Sequence, residues 1–106
     1  MVTRGDVWLV DLDPTIGSEI QKTRPCLVIS PPEMHDHLRT VIAAPMTTGS
    51  RPAGFRMALR FQGKEGLVLL DQVRMIDKQR LVKKVGQVSQ ATLRTTLATL
   101  RAVFEE

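Results

Sequence analysis

The sequence is sparing with the groups that make covalent or metal chemistry easy. It has one cysteine, Cys26, and two histidines, His35 and His37. A lone cysteine closes no intramolecular disulfide, so a reducing cytosol is the expected compartment. Sitting in an apolar stretch, Cys26 reads as a small packing residue. His35 and His37 flank Asp36 in a polar segment, 33–39, with no third ligand marked nearby. A surface loop is the simpler reading, and a His-x-His ligand pair the alternative. Tyrosine is absent, leaving one Trp and three Phe. No apolar run approaches the ~20 residues of a membrane span, and the opening "MVTRGDVWLV" is too short in apolar residues for a signal-peptide core. A Gly-rich phosphate loop with its Lys is missing, as is a Gly-x-Ser-x-Gly elbow. There is no internal repeat, low-complexity tract or linker.

What is present fits one small domain spanning 1–106. Hydrophobic residues make up 42% and charged residues 25%, a composition that can build a core without staples. Lys plus Arg number 15 against 11 Asp plus Glu, a net charge of +4. That balance points to an anionic partner, nucleic acid first.

Strand patterns crowd the first 76 residues. In "VWLVDLD" (7–13), Trp8, Val10 and Leu12 share a face at period two. A long polar loop follows, Asp13 to Thr23, of a length that is often functional. "CLVIS" (26–30) and "TVIAAP" (40–45) are short apolar strands, each followed by proline or ending on it. "MTTGSRPAG" (46–54) is a second polar loop. In "FRMALRF" (55–61), Phe55, Met57, Leu59 and Phe61 alternate with Arg56, Ala58 and Arg60. "QGKEG" reads as a turn, and "LVLLDQVRMI" (67–76) as a fifth strand interrupted by Asp71-Gln72. Asp77 can cap a helical turn through "KQRLV", and "KKVGQV" offers a further short strand. Ser89 then caps a final helix whose Leu93, Leu97, Leu100 and Phe104 form one apolar stripe. The expected fold is mainly β: a small, partly closed antiparallel barrel of five to six strands covered by a C-terminal helix.

Polar residues collect at strand ends. Arg24 stands where the long loop meets the second strand, Thr47 and Thr48 follow the third, and Glu19 lies on the loop before Arg24. If strands two and three are antiparallel neighbours, the start of one lies beside the end of the other. Pro25 restrains both itself and Arg24, so the guanidinium stands on a stiff base and can aim its donors at a phosphate. An ordinary strand-capping surface arginine is the competing explanation.

These elements carry a resemblance. "RGDVWLVDLDPTIGSEIQKTRPCLVIS" (4–30), "APMTTGS" (44–50) and "GLVLLDQVRMID" (66–77) are similar, in that order, to the MazF/PemK/Kid family of toxins from bacterial type II toxin–antitoxin pairs. The resemblance implies an SH3-like barrel, usually a homodimer, acting in the bacterial cytoplasm as a sequence-specific, metal- and cofactor-independent endoribonuclease on single-stranded RNA. It implies a cognate antitoxin that lays an acidic flexible segment over the RNA groove. It also implies catalytic roles for Arg24 and Thr47, and for Glu19 as in some members.

In such a reaction the 2′-hydroxyl attacks the adjacent phosphorus, giving a cyclic phosphate and a 5′-hydroxyl. Arg24 and Thr47 would donate to the charged phosphorane, while Glu19 would take the 2′-proton or orient Arg24. Arg56, Arg60, Arg74, Lys78 and Arg80 are candidates for tracking phosphates, many of them equally readable as a solvated face. With few aromatics to stack on, base recognition falls to hydrogen bonds from Gln72, Asp71, Thr48 and the 13–23 loop. Two rival readings stay open: a barrel toxin that poisons DNA gyrase, and a non-catalytic nucleic-acid-binding barrel.

Overall fold

The computed structural model describes every residue except Ser50 and Pro52, so the Ser and Pro expected in the second polar loop lie outside the described residues. Seven strands form one sheet: β1 (Asp6–Asp11), β2 (Thr23–Val28), β3 (Thr40–Thr47), β4 (Arg56–Phe61), β5 (Lys64–Leu69), β6 (Arg74–Asp77) and β7 (Leu81–Gln87). A one-turn helix α1 (Pro32–His35) precedes β3, and α2 (Gln90–Val103) follows β7. The order is β4-β5-β3-β2-β1-β7, with β6 added to β3, and all these strand pairings are antiparallel. The sheet is not closed by a ladder, but it curls until its outer strands meet. Gln62 Nε2 donates to the Val85 carbonyl at 2.8 Å, and the Phe61 ring lies so near Gly86 that a Cβ there would sit 2.7 Å from it.

The continuous apolar run of β2 reflects burial on both sides. Cys26 and Val28 pack with Val10, Leu12, Val41, Ala43 and Ile76. Leu27 and Ile29 pack on the opposite side with Val7, Ala44, Met46, Val68 and Leu70, and Leu97 and Leu100 of α2 cover that side. Trp8, Val10 and Leu12 do share one cluster, while Val7 is buried in the other.

Several expectations are corrected. The fifth strand is two strands, because a 3₁₀ turn at Leu70–Gln72 redirects the chain. β5 then pairs with the end of β3 (Met46↔Val68, Thr47↔Leu67) and β6 with its start (Thr40↔Asp77 to Ala43↔Arg74). The tight turn is confined to Gln62-Gly63, both at positive φ (52° and 79°), so Lys64, Glu65 and Gly66 belong to β5. Asp77 caps only a 3₁₀ turn, Lys78–Arg80, by accepting from Gln79 N, and Leu81 and Val82 start β7. Residues 33–39 are not all surface loop. Pro32 opens α1, and the turn carries His35 inward to 1% exposure, with Nδ1 2.9 Å from Ser30 Oγ. Ser89 caps α2 as expected, accepting from Thr92 N at 3.1 Å, but the packed stripe ends at Leu100 and Phe104 is exposed.

The Gly-Asp-x-Trp opening has a structural reason. Asp6 is fully buried and accepts from Thr3 N (2.8 Å), Trp8 Nε1 (3.2 Å) and Gln87 Nε2 (3.0 Å), with Lys84 Nζ at 3.2 Å. Burial pushes its carboxyl pKa up, but these donors outweigh it and hold the group below its ordinary value. A depressed folded-state pKa stabilises the fold above the ordinary carboxylate range, and the gain is lost as pH falls through the folded value. Asp6→Asn should therefore cost ~1–3 kcal/mol at neutral pH, and thermal melts should show the gap to the parent narrowing in acid. Cys26 behaves oppositely: burial pushes its thiol up to about 12, against the pull of the nearby Arg74 charge. A thiol-specific reagent at neutral pH should leave folded Cys26 unlabelled and modify it fully in denaturant.

Candidate functional site

The β2–β3 ladder is set by Cys26↔Pro45, Leu27↔Ala44 and Val28↔Ala43. The ladder ends at Cys26↔Pro45, and Pro25 has no N–H to give at the next position, so the two strand ends are released from each other. The same register continued by two residues sets Arg24 level with Thr47. Strand alternation puts both on the side that carries Cys26 and Ala43. Arg24 is half-buried; its Nε donates to the Gln21 carbonyl at 3.1 Å, and among the described residues nothing takes its two terminal amino groups. Thr47 ends β3 beside Leu67 of β5. Its Oγ1 accepts from Gly49 N at 3.2 Å, which leaves the hydroxyl proton to be donated elsewhere.

A cleft of about 330 Å³ is lined by Glu19, Ile20, Asp71, Gln72, Val73 and Arg74. Arg74 joins the two regions: it lines the cleft, sits across from Ala43, and its charge is felt at Cys26, two residues from Arg24. Glu19 is exposed, with Oε1 accepting from Ile16 N at 2.8 Å. Gln72 Oε1 accepts from Ile20 N at 2.8 Å, so this side chain docks the long loop onto the sheet. At the loop's other end Arg80 NH1 donates to the carbonyls of Asp11 (3.1 Å) and Asp13 (2.6 Å), while Lys22 N reaches Asp13 Oδ1 at 3.1 Å.

Other residues expected at the site stand apart. Arg56 forms a two-pronged ion pair with Asp71 (3.1 and 2.9 Å), which raises its already high pKa, so neither side chain is idle. Lys78 lies at the opposite end of β3, next to Asp77↔Thr40, and its Nζ donates to the His35 carbonyl. Thr48 falls on the other side of the strand from Thr47 and lines a different cleft with Leu59 and Gly66. Arg60 is exposed on β4. Among the described residues no three His, Cys, Asp or Glu side chains gather as metal ligands.

Sequence reasoning missed the clasp roles of Gln72 and Arg80, whose side chains hold backbone of the long loop. It also read Gly66 as a turn residue. A glycine inside a strand is itself a signal of close backbone approach, and a Cβ on Gly66 would lie 2.8 Å from the Thr47 carbonyl oxygen.

Comparison with known proteins agrees with this architecture. A family described as "PemK-like, MazF-like toxin of type II toxin-antitoxin system" matches residues 3–104. Endoribonuclease PemK of Escherichia coli is 38% identical over 107 aligned residues, covering 95% of this chain and 80% of that protein. Two solved structures share the fold at 24% identity. One is MazF from Deinococcus radiodurans, with a TM-score of 0.84 over 96% of this chain and 94% of that one. The other is a mycobacterial endoribonuclease in complex with its cognate antitoxin, with a TM-score of 0.80 over 96% and 93%. The span and strength of these matches establish that the chain belongs to the PemK-like, MazF-like toxin family of type II toxin–antitoxin systems.

Proposed function

We propose that this chain cuts single-stranded RNA at specific sequences, without a metal ion or other cofactor, by directing the substrate's own 2′-hydroxyl at the adjacent phosphorus. The products are a 2′,3′-cyclic phosphate and a 5′-hydroxyl. An RNA-cleaving toxin is the activity that family membership and the endoribonuclease relative support; the chemistry is our reading of the site. The observation that supports it is the β2–β3 register, which continued by two residues sets Arg24 level with Thr47, with the outer fork of the guanidinium unengaged among the described residues.

Arg24 donates two bonds to the nonbridging oxygens as charge builds on the phosphorane, and Thr47 adds a hydroxyl donor. The pKa of a guanidinium lies above ~12, so Arg24 cannot serve as the base. Glu19 fills that role better than an orienting one, because it makes no hydrogen bond with Arg24 here. The cleft beside it receives a base: Gln72 and Asp71 offer edge contacts and Arg74 a cation for the flanking phosphate. Thr48, Arg56 and Lys78 bear on RNA only along the wider path, Arg56 after release from Asp71.

Residues 1–106 act as one domain, as a homodimer whose doubled +4 charge attracts RNA and also the acidic flexible segment of a cognate antitoxin. Its site of action is the bacterial cytoplasm. Among the described residues no helix is long and apolar enough to cross a membrane.

Purified protein incubated with long single-stranded RNA in excess EDTA should give discrete cuts bearing 5′-hydroxyls. Intact RNA with stalled supercoiling would select a gyrase poison instead, and shifted but uncut RNA a simple binder. Arg24→Ala and Thr47→Ala should each lower the single-turnover rate by ~100-fold or more while RNA binding persists. Arg24→Lys should fail as well, since an ammonium lacks the planar fork. Undiminished cleavage by Arg24→Ala would remove the mechanism.

A further inference from the structure

The catalytic threonine must be held as firmly as the arginine, yet it sits on the last residue of its strand, where strands fray. We infer that Gly66 is the positioning residue that fixes Thr47. The inference rests on the catalytic reading of Thr47 given above.

β3 ends at Thr47, and its ladder with β2 has already stopped at Cys26↔Pro45. From there β5 alone pairs with β3, through Met46↔Val68 and Thr47↔Leu67. Gly66 comes next on β5. A Cβ there would lie 2.8 Å from the Thr47 carbonyl oxygen, 3.5 Å from its carbonyl carbon and 3.7 Å from Thr48 Cγ2. The hydrogen of glycine lets the Thr47 peptide rest against β5 at a distance no other residue allows. Any side chain must push that peptide away, and the Thr47 hydroxyl moves with it.

Gly86 supplies the contrast. A Cβ there would be as crowded, 2.7 Å from Phe61 Cζ, but the obstacle is the far end of a side chain that can swing aside. Gly54 supplies a neutral control, with nothing among the described residues within 4 Å of its added Cβ. The three glycines separate crowding in general from displacement of Thr47 in particular.

The experiment compares Gly66→Ala, Gly86→Ala and Gly54→Ala in single-turnover cleavage of an RNA oligonucleotide carrying a mapped site, alongside thermal melts. Gly66→Ala should stay folded and lower kcat by ~100-fold, the scale of a ~1 Å misplacement, with KM nearly unchanged. Gly86→Ala should lower Tm without a comparable loss of kcat, and Gly54→Ala should change neither. A double-mutant cycle supplies the decisive readout: in a Thr47→Ala background, adding Gly66→Ala should produce no further loss. Losses that multiply would show that Gly66 does not act through Thr47 and would overturn the inference. So would full kcat in Gly66→Ala, or a Gly66→Ala protein that fails to fold while Gly86→Ala folds, since the glycine would then serve the fold alone. Full cleavage by Thr47→Ala is a different failure, that of the underlying catalytic reading, and it is scored before the cycle begins.

Discussion

The register between β2 and β3 is the constraint on which the site depends. Both strands are buried on both sides along their middles, so Cys26, Leu27 and Val28 of β2 and Val41 to Ala44 and Met46 of β3 are each committed to one of two clusters, and a slip of one position would exchange these side chains between them. Pro25 tightens this further: it lacks the donor a continuing ladder requires, and the pairing ends beside it at Cys26↔Pro45. A fixed register fixes where Arg24 lies along Thr47. On the catalytic reading proposed above, the chemistry is thus placed by packing several residues away, and the strand ends themselves need contribute little to stability.

Charge is distributed with similar economy. The chain is basic, but much of its cationic surface is engaged in holding the fold. Lys84 faces the buried Asp6, Arg56 grips Asp71, Arg80 holds two carbonyls at the start of the long loop, and Lys78 holds the carbonyl of His35. An exposed pair such as Arg56–Asp71 adds little to stability, and a phosphate can compete for its guanidinium. Arg24, by contrast, spends only Nε on the backbone. The cations that matter are distinguished by what else they touch, and net charge alone does not reveal that.

This explains how far the sequence could be read. The alternation in β4, the Ser89 cap and the apolar β2 run are local patterns, and each appears as an element of the expected kind. That β2 and β3 are antiparallel neighbours, posed in the sequence as a condition, is seen in their ladder, whose register continued by two positions sets Arg24 level with Thr47. The split of β5 from β6 was not legible, because it depends on β3 having one outer edge shared between two partners. His35 was misplaced for a related reason: its burial is decided by Pro32 starting a helical turn and by Ser30 waiting beneath, neither of which shows in the polarity of 33–39. Gln72 looked like a reader of bases, yet its carbonyl is occupied by a backbone amide 52 residues away in sequence.

The long loop is pinned near both ends, by Arg80 and Lys22 on one side and Gln72 on the other, while Ile16 at its crest is 84% exposed. Exchanges at the crest meet few neighbours and leave the strands beneath undisturbed. The architecture thereby uncouples two things that natural selection can alter separately: the make-up of a tolerant crest, and the geometry of the unyielding base on which it stands.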